Sequence, residues 1–358
     1  MKSLFEVKEI DRVFYAKRLR DWLPDKIIDV HTHVWLKRFK PVQKDASSAS
    51  GRVAAWADMI ADENPVEHLK ETYRLMFPGK IVTPLMFTNI VPERNFTRAN
   101  DYVARVAREN KFPALIFSHP QWSGEEFEKK IEADGLLGAK SYLSFAAPGL
   151  AADEITIFDF FPRHQLEILN KLGLVMMLHI PRNNRLRDPV NLAQMLEIEE
   201  CYPNIKLIIA HVGRAYCPED IGDAFKVLAK TRKMYFDISA NTNADTFRRL
   251  LEAVGPKRVL FGSDLPITRM RMRRICENGK YINLVPKGLY GDVSRDSHMR
   301  EVEGGAAESL TYFMYEELDA FRRAAHAVKL ERGDLEDVFY NNAERLLKKM
   351  EKRERSKK

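Results

Sequence analysis

The sequence predicts an α/β protein: a single domain built as a closed barrel of eight strand–helix units, the (β/α)8 or TIM type. A helical extension precedes the first strand, and long loops follow strands 1 and 8. Three observations carry this prediction. Short β-type runs alternate with amphipathic stretches through most of the chain. The runs are almost continuously apolar, as in parallel strands covered on their outer faces. Several of them also end in a histidine or an aspartate, always at the same end, which is where barrel enzymes gather their chemistry. An open doubly wound sheet is the alternative architecture.

The predicted strands are 27–33, 81–87, 114–118, 137–142, 175–179, 206–211, 234–238 and 259–262. Between them lie helical patterns at 66–76, 100–110, 124–133, 163–172, 189–201, 218–230 and 244–254, and a further helix is expected over 310–328 with Phe313, Met314, Leu318, Phe321 and Ala325 on its packed face. Gly173, Pro203-Asn204 and Gly255-Pro256 mark places where helices hand over to strands. Residues 1–25 form the helical extension, expected to cover the barrel bottom; 26–347 form the barrel, and 348–358 a basic tail. Two long loops are expected on the catalytic face, at 35–62 with its Ser-rich stretch 43–51, and from 265 to about 305.

Composition narrows the function classes. A chain of 358 residues that is 45% hydrophobic and 30% charged is globular rather than disordered. Its formal charge is +7, but residues 348–358 hold seven basic and two acidic groups (7 − 2 = +5), so the body is nearly balanced and nucleic acid is not an expected partner. No apolar run approaches the ~20 residues that span a bilayer, and Glu6, Glu9 and Asp11 interrupt the place of a signal peptide. Three cysteines, Cys201, Cys217 and Cys276, form no close pair, which argues against a disulfide framework and favours a reducing cytoplasm.

The chemistry starts at His31-Thr32-His33. Residues two apart on a strand face one side, so two imidazoles are presented together, as a divalent cation requires. His179 ends the fifth strand, His211 the sixth and Asp264 follows the eighth. In a parallel barrel those ends converge, and imidazoles with a carboxylate suit Zn²⁺ that keeps an open position for water. Asp264 is a ligand, the acceptor of the water's proton, or both. His68, His164, His298 and His326 are expected to be ordinary structural or surface residues. No phosphate-binding glycine motif follows any strand, so no nucleotide cofactor is indicated.

The motifs Asp29-Val30-His31-Thr32-His33, Leu178-His179, Ala210-His211-Val212-Gly213 and Phe261-Gly262-Ser263-Asp264-Leu265-Pro266 resemble those of the amidohydrolase superfamily, in its amidohydrolase-related branch of metal-dependent hydrolases and decarboxylases. The ending Tyr340-Asn341-Asn342-Ala343-Glu344-Arg345-Leu346 is similar to that family's last helix. The resemblance implies His31, His33, His179 and Asp264 as metal ligands, and His211 as the group that polarises a substrate carbonyl or orients the water. It also implies one divalent ion, Zn²⁺ first and Mn²⁺ or another ion as alternatives. Lys140 falls where binuclear relatives carry a carboxylated bridging lysine, the alternative being a lysine that pairs with Asp or Glu or binds a substrate carboxylate. Further substrate contacts are expected from His119, Arg182 and Arg214 on the rim and from Trp35 as a pocket wall.

The expected activity is hydrolysis of a lactone, ester or amide carbonyl in a small, carboxylated substrate. Non-oxidative decarboxylation of aromatic or muconate-type acids is the alternative. A non-catalytic metal-stabilised binding protein would need a closed ligand shell, and the polar groups here exceed four. A homodimer is compatible with this reading.

Overall fold

The structure is a computed structural model that describes residues 4–40 and 57–355. The Ser-rich stretch at 43–51 and the last three residues of the basic tail lie outside the described residues. Eight parallel strands run in chain order: β1 (Lys26–His33), β2 (Ile81–Phe87), β3 (Ile116–Phe117), β4 (Gly138–Lys140), β5 (Val175–Leu178), β6 (Lys206–Ile209), β7 (Tyr235–Asp237) and β8 (Val259–Leu260). β3 to β8 pair in sequence as one sheet and β1 pairs β2. Backbone hydrogen bonds join the two pieces into a ring: Met86 N to the Pro113 carbonyl at 3.0 Å and Leu115 N to that of Met86 at 2.9 Å on one side, Val30 N to Phe261 at 3.0 Å and Asp264 N to His31 at 2.8 Å on the other.

The strands are short because side chains and close approaches complete what the ladders leave open. Asn100, buried in the helix Phe96–Asn110, donates to the Phe117 carbonyl at 3.0 Å and accepts from Phe117 N at 2.8 Å, pairing both groups of a β3 residue. At the start of β4, Gly138 runs so near β5 that a Cβ would lie 2.1 Å from the Val175 carbonyl oxygen, so no other residue fits. Helices 66–76, 189–201 and 244–254 coincide with the amphipathic runs read from the sequence. Asp188 and Asn243 cap the second and third of these through their side-chain oxygens.

Two stretches differ from the expectation. Residues 218–230 contain a helix only at Ala224–Leu228, since Pro218 opens a 3-10 turn and Gly222 takes φ +50°. The loop expected after β8 holds a three-stranded sheet: β9 (Arg273–Glu277), β10 (Lys280–Pro286) and β11 (Met299–Val302). β9 and β10 form a hairpin turned by Asn278-Gly279, both with positive φ, the residue pair that a two-residue hairpin favours.

The cysteine expectation is also corrected: Cys217 and Cys276 are disulfide-bonded, tying the segment after β6 to the hairpin. A sequence separation of 59 hides a Cα–Cα distance of 5.8 Å. At the other end of the chain, the helix Glu9–Phe14 and a π-helical turn, Tyr15–Leu19, pack on the helix Phe313–Ala327. Tyr15 Oη donates to the Pro78 carbonyl just ahead of β2, at the N-terminal ends of the strands. Asp11 is fully buried and held by both Arg271 guanidinium nitrogens at 2.9 and 2.6 Å. None of the described helices is long and apolar enough to cross a membrane.

Candidate metal centre

The C-terminal ends of β1, β4, β5, β6, β7 and β8 converge around His31. The β1–β2 register shifts between Asp29 and Thr32, so the strand is re-aimed at the residue that carries this imidazole. Gly262 makes room for it, since a Cβ there would meet His31 Cβ at 2.8 Å. Asp29 locks β1 to β8, accepting from His31 N at 3.2 Å and Ser263 N at 2.8 Å, while Tyr73 Oη donates to its other oxygen at 2.9 Å. Burial pushes the Asp29 pKa up to about 7 against these hydrogen bonds.

The histidine tautomers follow from their partners. His31 Nδ1 lies 2.9 Å from Asp237 Oδ2, and His33 Nδ1 lies 3.1 Å from the Thr88 carbonyl. Both partners only accept, so each ring donates from Nδ1 and keeps its lone pair on Nε2. Those two Nε2 atoms face Asp264 Oδ1 at 3.5 and 3.3 Å. The His211 Nδ1 likewise faces the Ser239 carbonyl at 3.1 Å and Ser239 Oγ at 2.9 Å, and that hydroxyl donates to Asp237 Oδ1.

The backbone here is held in unusual conformations. His211, Val212, Gly213 and Arg214 all have positive φ, between 49° and 62°, which makes a left-handed turn directly after β6. Each non-glycine residue so placed costs about 1–3 kcal/mol and needs support. Asp237 Oδ1 supplies part of it by accepting from His211 N at 2.9 Å, and Arg214 supplies more by donating to the Ile180 and Pro181 carbonyls at 3.2 and 2.9 Å. Asp264 is left-handed as well, at φ 57°.

Electrostatics favour neutral imidazoles beside ionised carboxylates. Burial lowers the His211 pKa to about 4 against the opposing pull of the Asp264 and Asp237 carboxylates, with the Lys140 ammonium adding to the fall, and burial holds His179 well below its ordinary value. The His31 pKa falls for the same reason, with Lys140 adding to it. Burial opposes ionisation of Asp237, but its His31 partner brings it down to about 2. Asp264, buried too, has its pKa lowered where the facing imidazoles carry a proton on Nε2, so carboxylate and imidazole favour each other's charged form in the absence of a cation. Burial lowers Lys140 to about 8, opposed by Asp264 and Asp237. Its ammonium is 3.5 Å from His31 Nε2 and 5.1 Å from the centre of the Phe87 ring.

These residues fit a divalent cation. His31, His33 and Asp264 offer one ligand atom each, all within 4.8 Å of one another, as do His31, His211 and Asp237. His179 stands beside them, its ring 5.4 Å from that of His211, and its buried Nδ1 has no hydrogen-bond partner among the described residues. An orphaned imidazole nitrogen next to neutral, pre-oriented histidines matches what a metal ligand requires.

Other expected site residues are placed differently. Arg182 is ion-paired with Asp188 at 3.1 Å. His119 packs between Phe96 and Phe145 and has no described contact with the histidine cluster. Trp35 is buried and donates to the Asp62 carbonyl at 3.2 Å, pinning the start of the loop after β1. Arg214 stays at the mouth, with one terminal nitrogen spent on carbonyls. Sequence reasoning missed Asp237, Ser239 and Thr88. The first two were detectable as polar residues ending the seventh strand, by the same signal that picked out His179 and His211.

A profile of the amidohydrolase family matches residues 28–349. The chain belongs to the amidohydrolase family. This amidohydrolase is therefore an enzyme of a metal-dependent class. No curated protein sequence matches it. Solved structures share its fold at low identity. A 2,6-dihydroxybenzoate decarboxylase from Rhizobium is 15% identical with a TM-score of 0.54, covering 91% of this chain and 99% of that one. A dihydroxybenzoic acid decarboxylase from Polaromonas sp. JS666 with bound manganese and 2-nitroresorcinol is 16% identical, with a TM-score of 0.51 and coverage of 91% and 97%. A probable 2-pyrone-4,6-dicarboxylic acid hydrolase from Acinetobacter baumannii with bound citric acid is 16% identical, with a TM-score of 0.52 and coverage of 90% and 98%.

Proposed function

We propose that this amidohydrolase is a divalent-metal-dependent hydrolase acting on the carbonyl of a lactone, ester or amide in a small, carboxylated substrate. His31, His33, His179 and Asp264 would hold the ion, with Zn²⁺ the first choice and Mn²⁺ the alternative. The observation that carries the reading is Asp264: a carboxylate kept ionised within 3.5 Å of two imidazole Nε2 atoms, at the end of a barrel strand. When bound, the cation supplies Lewis acidity toward water and the substrate carbonyl.

Asp264 then takes the proton of the attacking water and returns it to the leaving group. His211, neutral and donating from Nδ1 to Ser239, has a bare Nε2, so it accepts a hydrogen bond and orients that water; it has no proton there with which to polarise a carbonyl. Lys140 and Arg214 supply positive charge for a substrate carboxylate. A cytoplasmic location, expected from the cysteine count, has the Cys217–Cys276 bond against it.

Decarboxylation is the second reading, favoured by the lining of the mouth. The Tyr142 ring lies 4.9 Å from that of His179, centre to centre, an aromatic wall beside an expected ligand that suits an aromatic acid. Metal-loaded protein would be screened on lactones, esters and aromatic carboxylates in ¹⁸O-labelled water. Label in the product supports the hydrolase, and carbon dioxide release without label replaces it with the lyase. His31→Ala and Asp264→Asn should abolish metal retention or turnover; if both variants keep both, the site assignment is wrong.

A further inference from the structure

We propose that Glu317 and Arg274, neither of them in the metal centre, are positioning residues that fix the ring of His211 by clamping the residues that follow β7. The inference rests on His211 acting in the site as described above.

One peptide group links Glu317 to His211. Ser239 C=O and Ala240 N–H belong to the same planar unit and point in opposite directions. The carbonyl accepts from His211 Nδ1 at 3.1 Å, and on the far side the N–H donates to Glu317 Oε2 at 2.7 Å. Glu317 therefore sets the plane of one of the two groups that accept from His211 Nδ1, the other being the hydroxyl of the same Ser239 at 2.9 Å. It comes from the helix Phe313–Ala327, outside the strand ring, and is fully buried, with Oε1 unpartnered among the described residues. A buried carboxyl group in an apolar helix face is costly to keep, so an accepted hydrogen bond at this one amide gives it a reason to be there.

The next peptide group is held from the opposite direction. Ala240 has φ +50°, a conformation an alanine leaves unless both neighbouring groups are tied. Its carbonyl accepts from an Arg274 terminal nitrogen at 2.7 Å. Arg274 is itself fixed: it pairs across the hairpin with Asn283, whose Oδ1 accepts from its Nε at 2.8 Å. Its guanidinium lies 4.5–4.6 Å from the ring centres of Tyr216, Tyr281 and Phe313, and it forms no salt bridge among the described residues. The disulfide then ties this hairpin to the segment that follows the His211 turn. The sheet inserted after β8 thus reaches back across the mouth to brace the histidine.

The test uses the protein as purified with its metal, labelled with ¹⁵N-histidine, and reads the His211 tautomer from long-range ¹H–¹⁵N NMR, the signal being assigned by its loss in His211→Asn. Wild type should show the Nδ1–H form alone. Glu317→Leu and Arg274→Met should each give a mixture of tautomers with metal content unchanged, and should lower kcat at least ~10-fold with KM within about 3-fold. Glu317→Gln, whose amide oxygen still accepts from Ala240, should restore the wild-type signal. Should Glu317→Leu fail to fold, Arg274→Met, whose apolar chain can keep the packing against the three rings, decides the matter alone. A wild-type tautomer signal in the folded Arg274→Met variant overturns the proposal. A mixed signal in a protein that neither hydrolyses nor decarboxylates upholds the clamp and removes the functional reading instead.

Discussion

His31 and Asp237 are joined by a 2.9 Å contact between Nδ1 and Oδ2, with both side chains buried. The carboxylate is the hub of the site, since its other oxygen accepts from His211 N at 2.9 Å and from Ser239 N at 3.1 Å. It therefore fixes one ring directly and the backbone of a second. Asp237→Asn should leave the chain folded and weaken metal binding about 10–100-fold, as loss of a carboxylate behind a ligating histidine does elsewhere. Competition against a chelator of known affinity measures this.

Metal removal should cost stability as well as activity. The carboxylates and imidazoles at the mouth are pre-oriented in the folded chain and scattered in the unfolded one, so a cation binds only the former. Adding metal to chelator-treated protein at 100 times its dissociation constant should raise the unfolding free energy by about 2.7 kcal/mol, seen as a rise in Tm that depends on metal concentration.

The Cys217–Cys276 bond closes a long loop across the mouth. Replacing both residues by serine should lower the unfolding free energy by about 2–4 kcal/mol in denaturant titrations. Proteolysis should then cut first within the hairpin 273–286, whose exposed edge loses its covalent anchor.

Asp337 anchors the end of the barrel opposite the site through Arg345, at 3.1 Å, and Lys257. Burial opposes its ionisation, but these hydrogen bonds win and its pKa lies below the ordinary value. Its folded pKa is depressed, so its contribution is complete above the unfolded carboxylate pKa and disappears as pH falls through the folded one. Asp337→Asn should cost about 1–2 kcal/mol at pH 7, and the gap to wild type should close progressively in acid, checked by thermal melts between pH 7 and pH 2.

Much of the architecture could be read from local pattern. Apolar runs bounded by Gly, Pro and Asn marked the strands, and amphipathic runs marked helices such as Val66–Met76, because burial on one face is written at fixed period in the chain. The hairpin after β8 reads as loop in the sequence: Asn278-Gly279 favours a tight turn, but its flanking strands are half-exposed and lack a strong apolar signal.

The sequence by itself determined the barrel, and which ends of its strands carry histidines and Asp264, because strand direction fixes where each run stops. Tertiary structure alone decided that Cys217 meets Cys276, that Arg182 is spent on Asp188 while Lys140 turns inward to His31, and that Asp237 and Glu317 stand behind the histidines. These are contacts between residues 6 to 109 positions apart or more, whose hydrogen bonds depend on side-chain direction and burial. No local period records that information; only the closed ring brings the partners within reach.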